Sequence, residues 1–277
     1  MTNLITAKVI ADTTYNEHRV TTLELEYPRY IHSELMTHRV FSRNAASSRA
    51  IPISRMIELI KNNKQVPVWT GKQSGMQGAT VDDLTKKLAT DVWINAMHNA
   101  IASATALDKL GIHKQNANRL LEPFQTMKTI ITGTDWDNFF KLRIHPAAQP
   151  EIQILAEAIK IAIDESEPID CSNIAGFWHL PYMKLSDVTR MGWDKAKKIS
   201  ASCCAQVSYR KLNTSDDKAL GIFDKLISGD IIHGSAFEHI CRPMGPEEKQ
   251  VGNLTGFRQY RHDIEQELSA SHYLKNN

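Results

Sequence analysis

The sequence predicts an α/β (α+β) fold on three observations. Two β-branched, alternating segments stand close together near the N-terminus, and a third extended segment lies close to residue 130. Elsewhere apolar residues recur at helical spacing over stretches too long for strands. The chain of 277 residues is 42% hydrophobic and 23% charged, which is ordinary for a globular protein. Its length buries a sizeable core as one large domain or two small ones.

Residues 4–11 are apolar and β-branched and predict a strand. Residues 19–27 alternate Leu23, Leu25 and Tyr27 with Glu24 and Glu26, the pattern of a half-buried strand. A hairpin through residues 15–18 joins the two, and Pro28 ends the second. Residues 30–39 read as a short helix with Ile31, Leu35 and Met36 on one side, followed by a polar cluster over 42–48. Residues 61–79 read as a surface excursion or lid.

Residues 80–110 carry the longest helical signal. Leu84, Leu88, Val92, Ala96 and Ala100 keep a spacing of four beside Trp93, Met97, Ile101 and Ala104. So wide an apolar face predicts core, with room for a subunit interface. Gly111 stops this helix. A second helix is expected over 113–121, ending near Pro123, then a strand over 124–132 that turns at Gly133. Asp135 is the expected N-cap of a helix through Arg143. Residues 149–165 predict another amphipathic helix with Ile152, Leu155, Ala156, Ile159 and Ile163 inward. Residues 168–181 read as a loop, 186–209 as helical, and 216–227 as a helix closed by Gly229. The tail from Gly245 is mostly polar.

Lys and Arg number 33 against 31 acids, a net charge of +2, which argues against a nucleic-acid binder working by charge alone. The four cysteines, Cys171, Cys203, Cys204 and Cys241, form neither a paired metal spacing nor a simple disulfide framework, so reduced thiols are expected. No apolar signal core and no membrane-length run appear, and the expectation is a soluble cytoplasmic protein without a membrane partner. There are 11 histidines, but HExxH and CxxC are absent and His32 and His38 are poorly spaced as a helical pair, so no metal site is expected. Neither a Rossmann nor a P-loop glycine pattern is present.

The most informative stretch is THRVFSRNAASSR at 37–49. His38, Arg39, Arg43 and Arg49 are interleaved with Ser42, Asn44, Ser47 and Ser48, and no acid interrupts them. Such a run offers many donors to anionic oxygens, with arginine matching phosphate bidentately; the alternative is a solvated polar loop. Ser47 has no His–Asp arrangement at readable spacing, so it is assigned to binding rather than nucleophilic attack.

This stretch resembles the signature of the flavin-dependent thymidylate synthases, R-H-R, seven residues, then S-x-R. A second block, NRLLEPFQTMKTIITGTDWDNFFKLRIHPAAQPEIQILAEAI, is similar to that family's second conserved block at Arg119, Asn138, Phe139, Leu142, Arg143, Ala148, Gln149, Glu151, Ile152 and Gln153. A third piece, Ala205-Gln206-Val207-Ser208-Tyr209 followed by His233-Gly234-Ser235-Ala236-Phe237-Glu238-His239, resembles the family's A-R-V-S-[FY] and H-x-[ST]-P-F-E-H elements. In the usual order these precede R-H-R; here they follow it, as in a circularly permuted relative, an order that also resembles phage-encoded members. Permutation is tolerated where termini lie close together at the surface. The resemblance covers residues 4–262 and implies one catalytic domain over 1–277, with the first two blocks in 1–167 and the permuted elements in 195–262.

The resemblance implies a twisted sheet with long flanking helices, assembled as a homotetramer with shared active sites. It implies methylation of deoxyuridylate (dUMP), with methylenetetrahydrofolate giving the carbon, FAD the hydride and NADPH reducing the flavin. It assigns Asn44, Ser47, Ser48, Arg49 and Arg119 to the nucleotide, and Thr37, His38, Arg39, Val40, Asn138 and His239 to the flavin. Arg143 would bind the uracil and polarise it, as a permanent cation beside developing charge. Salt bridges with Asp135 or Glu151 are the alternative for Arg143, a surface position for Arg119, and a structural core position for His239. The sequence departs from the family at Thr37 (first Arg of R-H-R), Ala45, Ala50, and the histidine before Ala148-Gln149, for which His145 is the nearby stand-in. These departures lie in or beside the nucleotide pocket and leave a flavin- and folate-dependent hydroxymethylase as the competing reading. A nucleic-acid-binding protein using Arg29, His38, Arg39, Arg43, Arg49 and Arg55 is the remote one. No cysteine sits in the P-C-Q-like context of the thiolate-dependent class.

Overall fold

A computed structural model describes residues 4–74, 78–208, 215–228 and 232–275. The expected features at Tyr209 and Gly229 fall outside these residues. Strands β1 (Thr6–Tyr15) and β2 (His18–Pro28) form the hairpin, with Asn16 taking the positive φ of 52° that its turn requires. Strands β3 (Ser42–Ala45), β4 (Thr126–Gly133) and the two-residue β5 (Ile169–Asp170) complete one sheet of order β3-β4-β2-β1-β5. All neighbours are antiparallel except β5 on β1.

The helices are α1 (His32–Met36), α2 (Ile53–Asn62), α3 (Asp83–Lys109), α4 (Lys114–Ala117), α5 (Asp137–Arg143), α6 (Pro150–Asp164), α7 (Leu185–Met191), α8 (Trp193–Ala205), α9 (Asp216–Ile227) and α10 (Tyr260–Lys275). A small ladder pairs β6 (Cys241–Pro243) with β7 (Phe257–Gln259). The α/β class is what the chain adopts.

The alternation in β2 sorts the two faces of the sheet. Leu23, Leu25 and Tyr27 lie with Met127 and Ile131 on one face, against Ile152, Leu155, Ala156, Ile159 and Ile163 of α6. Every α6 position expected to point inward is buried. The opposite face carries Thr22, Glu24 and Glu26 of β2 with Lys128, Ile130 and Thr132 of β4. A second layer, built from residues that follow 176, covers part of it. That layer has its own core of Leu180, Val188, Ala196, Ala201, Phe223, Phe237, Ile240 and Tyr260. Its contacts with the sheet mix apolar packing of Ile130 against Cys204, Val207 and Ala236 with hydrogen bonds such as Tyr182 Oη to Glu24 at 2.7 Å.

Several elements depart from expectation for identifiable reasons. The helix expected over 30–39 begins as a 3-10 turn (Arg29–Ile31) and ends at Met36. There Thr37 Oγ1 donates to the Glu34 carbonyl (2.7 Å) and Arg43 Nη1 to the Met36 carbonyl (2.5 Å). The polar cluster beyond it begins as strand β3 rather than coil, with Ser42 opposite Thr132. The helix expected over 113–121 is short α4 followed by a 3-10 stretch (Asn118–Phe124), whose Asn118 amide donates to the Ser48 and Ile51 carbonyls.

Asp135 is not an N-cap. α5 begins after Trp136, whose ring lies 4.5 Å from that of Phe41, so aromatic packing fixes its start. Gly133 is needed at this corner because a Cβ there would come within 2.7 Å of the Phe41 ring. The loop over 168–181 contains β5 and pairs His179 with Cys241. The polar tail contains β7 and α10, and α2 had no sequence assignment.

In α3 only one of the two expected rows is core. Met97 and Ala104 are buried against Met56, Ile60, Leu121 and Phe124, whereas Leu84, Leu88 and Val92 are 67%, 56% and 71% exposed. We expect Leu155→Ala to cost about 2–5 kcal/mol in urea unfolding. Leu88→Ala should stay within about 0.5 kcal/mol for the isolated chain. Equal losses would contradict this division of faces.

Candidate functional site

The cationic stretch of the sequence divides into three parts in space. Thr37, Arg39 and Val40 are exposed in the loop after α1, while His38 turns inward. β3 then carries Ser42 inward. In the turn beyond it, Ser47 and Arg49 are exposed and the Arg49 N–H donates to Ser47 Oγ at 3.3 Å. Ser48 is buried, its carbonyl held by Asn118 at 2.8 Å.

Arg143, at the end of α5, reaches into the first part. Its Nε donates to His38 Nε2 (2.9 Å), Nη1 to Glu34 Oε2 (3.0 Å) and Nη2 to Thr37 Oγ1 (3.2 Å). A guanidinium has five N–H donors, so one hydrogen on each terminal nitrogen remains for a ligand. Thus Arg143, Thr37 and His38, three of the residues singled out by sequence, share one group. The ion-pair partner is Glu34, not Asp135 or Glu151. Glu151 is buried and accepts instead from the Val68 N–H, Tyr30 Oη and Gln149 Nε2. Glu34 was missed by sequence reasoning, because its partner lies more than a hundred positions away and no local pattern marks it.

Burial, then the positive charges of Arg143 and Arg43, hold His38 below the usual imidazole range. The ring is therefore neutral, and because Nε2 accepts from Arg143 its hydrogen sits on Nδ1. Asn138 is exposed on the same helix as Arg143. Arg119 belongs to a separate group. It is 59% exposed and shares Glu122 with Arg29, each at 2.8 Å.

Other sequence-selected residues act as joints between layers. Asn44 Nδ2 donates to the Cys204 carbonyl at 2.7 Å. Gln259 Nε2 donates both to Ser42 Oγ (2.8 Å) and to the Glu238 carbonyl (2.9 Å). The third motif, folded as a 3-10 helix (Gly234–His239), thereby meets β3 of the first. His239 is wholly buried; Nδ1 bonds Thr132 Oγ1 at 2.8 Å, and Nε2 has no partner among the described residues.

Beside Ala46, next to the Ser47 turn, lies a cavity of about 370 Å³ between α2 and the sheet. Glu26, Thr126 and Lys128 supply its polar wall, and Met56 and Ile60 part of its apolar one. These polar residues carried no motif signal. All four cysteines are buried, and burial pushes the Cys203 thiol up to about 11, far from a thiolate nucleophile at neutral pH. Among the described residues no cluster of three His, Cys, Asp or Glu side chains suited to a metal occurs, and no helix is long and apolar enough to cross a membrane.

The family model described as "Thymidylate synthase complementing protein" matches residues 5–169. A flavin-dependent thymidylate synthase of Aquifex aeolicus (strain VF5) is 32% identical over 146 residues, which are 50% of this chain and 44% of that relative. The match therefore spans less than half of the relative's length. Crystal structures of a UMP/dUMP methylase, PolB, from Streptomyces cacaoi bound with 5-Br UMP or 5-Br dUMP superpose with TM-scores of 0.49 and 0.47. Their identities are 16% and 17%; each covers 59% of this chain, and 90% and 91% of the respective neighbour.

Burial depresses His179 to about 4 and His239 to about 3, so both are neutral in the folded chain. The unfolded chain takes up these protons below about pH 6.5, so their stabilisation is complete above that pH and is lost as pH falls towards the folded values. Each should contribute about 1.4 kcal/mol per pH unit. A urea midpoint that stays flat between pH 6.5 and 5 would contradict this.

Proposed function

The chain belongs to the thymidylate synthase complementing protein family, and from that premise we propose that it is a cytoplasmic flavin-dependent thymidylate synthase. It would convert dUMP to thymidylate with methylenetetrahydrofolate as carbon donor and NADPH as reductant. The observation that carries this reading is the clamp on Arg143, whose free fork of two N–H donors is oriented by Glu34, Thr37 and His38. Such a fork suits uracil O2 and N3. Held there, the cation stabilises negative charge spreading through the pyrimidine and makes C5 the attacking atom. Preorganisation matters here because the guanidinium need not reorient as that charge develops.

Ser47, Arg49 and Arg119, all exposed, are the donors for the nucleotide phosphate. Asn44 and Ser48, turned inward, support the turn that presents them. Thr37, Arg39, Val40 and Asn138 are exposed on the two segments that build the clamp, and His38 lies beneath them. This donor set fits the diphosphate and ring edge of FAD, and His239, whose buried Nε2 has no partner among the described residues, is the further residue assigned to the flavin. The bound flavin, reduced by NADPH, supplies the hydride. The exposed row Leu84, Leu88 and Val92 supports assembly into a homotetramer in which phosphate and base are held by different subunits.

Three outcomes test this reading. Purified protein should be yellow and bleach with NADPH, and mass spectrometry should show dUMP gaining a methyl group; a hydroxymethyl group would transfer the assignment to the hydroxymethylase reading. Arg143→Ala should lower kcat by about 10²–10³ while much of the flavin stays bound. Wild-type turnover in that variant would remove Arg143 from the chemistry. Arg49→Ala should raise KM for dUMP more than for the folate, and an equal effect on both would remove it from the phosphate site.

A further inference from the structure

Across the face of the sheet turned towards the second layer runs an unbroken row of hydroxyl and imidazole groups. Thr13 Oγ1 lies 2.9 Å from His179 Nδ1, and His179 Nε2 lies 2.8 Å from Thr22 Oγ1. Thr22 Oγ1 is 2.7 Å from Thr132 Oγ1, which is 2.8 Å from His239 Nδ1. The strands supply the threonines from β1, β2 and β4, and the second layer supplies the two histidines. All five residues are buried. We propose that His179 is a positioning residue that sets, through Thr22 and Thr132, which ring nitrogen of His239 carries hydrogen, and that the row relays a proton between His239 and Thr13.

Hydrogen counting carries the inference. With both rings neutral, three hydroxyls and two imidazoles hold five hydrogens for four bonds. If every bond points towards His239, the spare hydrogen is on His239 Nε2. If every bond points towards Thr13, it is on the Thr13 hydroxyl. A reversal in the middle either strands a hydroxyl hydrogen on Thr22 or Thr132 without an acceptor in the row or leaves their two oxygens 2.7 Å apart with no hydrogen between them, each a costly arrangement in a buried site. The two ordered arrangements therefore require the same tautomer in both histidines, Nε2–H in the first and Nδ1–H in the second.

Passing from one arrangement to the other balances. A proton enters at His239 Nε2, and His239 Nδ1–H moves to Thr132. The Thr132 hydrogen moves to Thr22, the Thr22 hydrogen to His179 Nε2, and His179 Nδ1–H to Thr13, which releases its own hydrogen. No residue ends charged. Thr13 borders a cavity of about 360 Å³ lined also by Asp12, Trp178, Lys184 and Trp193, which gives that hydrogen a route to water. At the other end, His239 Nε2 is buried and has no partner among the described residues, so it is the atom of the row left over for a bound group. The catalytic use of this end rests on the thymidylate synthase reading; the tautomer coupling does not.

Spectra of the full chain labelled with [15N]histidine read both tautomers through the Nδ1 and Nε2 shifts. His179 and His239 should show matching tautomers. Thr22→Val, which removes the central hydroxyl, should convert His239 to a mixture, and Thr22→Ser should restore the single form. If the protein makes thymidylate, Thr22→Val should also lower kcat by about tenfold or more with KM for dUMP unchanged. Opposite tautomers in the wild-type chain, which need no variant to fold, would overturn the proposal. So would an unchanged His239 spectrum in Thr22→Val, whatever that variant's activity. Matched tautomers that uncouple in Thr22→Val, in a chain that makes no thymidylate, would uphold the tautomer coupling and reject only its catalytic use.

Discussion

The register of β2 against β4 places Thr22 opposite Thr132, and the register of β4 against β3 places Ser42 opposite the same residue. Most of what distinguishes this molecule follows from that alignment. Side chains alternate between faces with a period of two, so a slip of one residue would send Leu23 and Leu25 away from α6 and bury Glu24 and Glu26 in their place. The apolar packing of α6 on Leu23, Leu25 and Ile131 therefore locks the polar row on the opposite face as firmly as it locks the core. The joints to the second layer, Ser42 with Gln259 and Thr132 with His239, depend on a register set elsewhere.

Arg143 shows how one family departure is accommodated. With threonine at 37, the side chain facing the guanidinium is a short neutral acceptor, and the single carboxylate of Glu34 balances the charge. The clamp is partly exposed: the Arg143 side chain retains 19% of its accessible surface and Glu34 30%. The pair is thus open to screening, and its value lies in holding direction more than in stabilising the fold. Neutral His38 completes the orientation without adding a second positive charge.

Strict periodicity made β2 and α6 legible, because each buries a face that the sequence marks residue by residue. α3 was legible as a helix, yet spacing could not say which of two adjacent apolar rows faces inward, since that depends on where α2 and the 118–124 segment lie. α10 was illegible because the apolar residues it buries, such as Tyr260 and Ile264, stand on a mostly polar stretch. The conjunction of Arg143 with Thr37 and His38 lies across more than a hundred positions; motif resemblance singled out the three residues but not their contact. Glu34, Lys128 and His179 stayed invisible for the same reason, since their partners are distant in sequence and their own surroundings carry no pattern.

The polar character of the sheet's second face bears on how such a chain is made. A ribosome delivers the five strands and α6 before the residues that cover that face have emerged. The nascent intermediate then presents threonines, glutamates and a lysine to water rather than an apolar slab, which limits its tendency to aggregate while synthesis continues. A chain order that leaves the covering layer until last is thus compatible with orderly production: the portion that waits is the portion best suited to waiting.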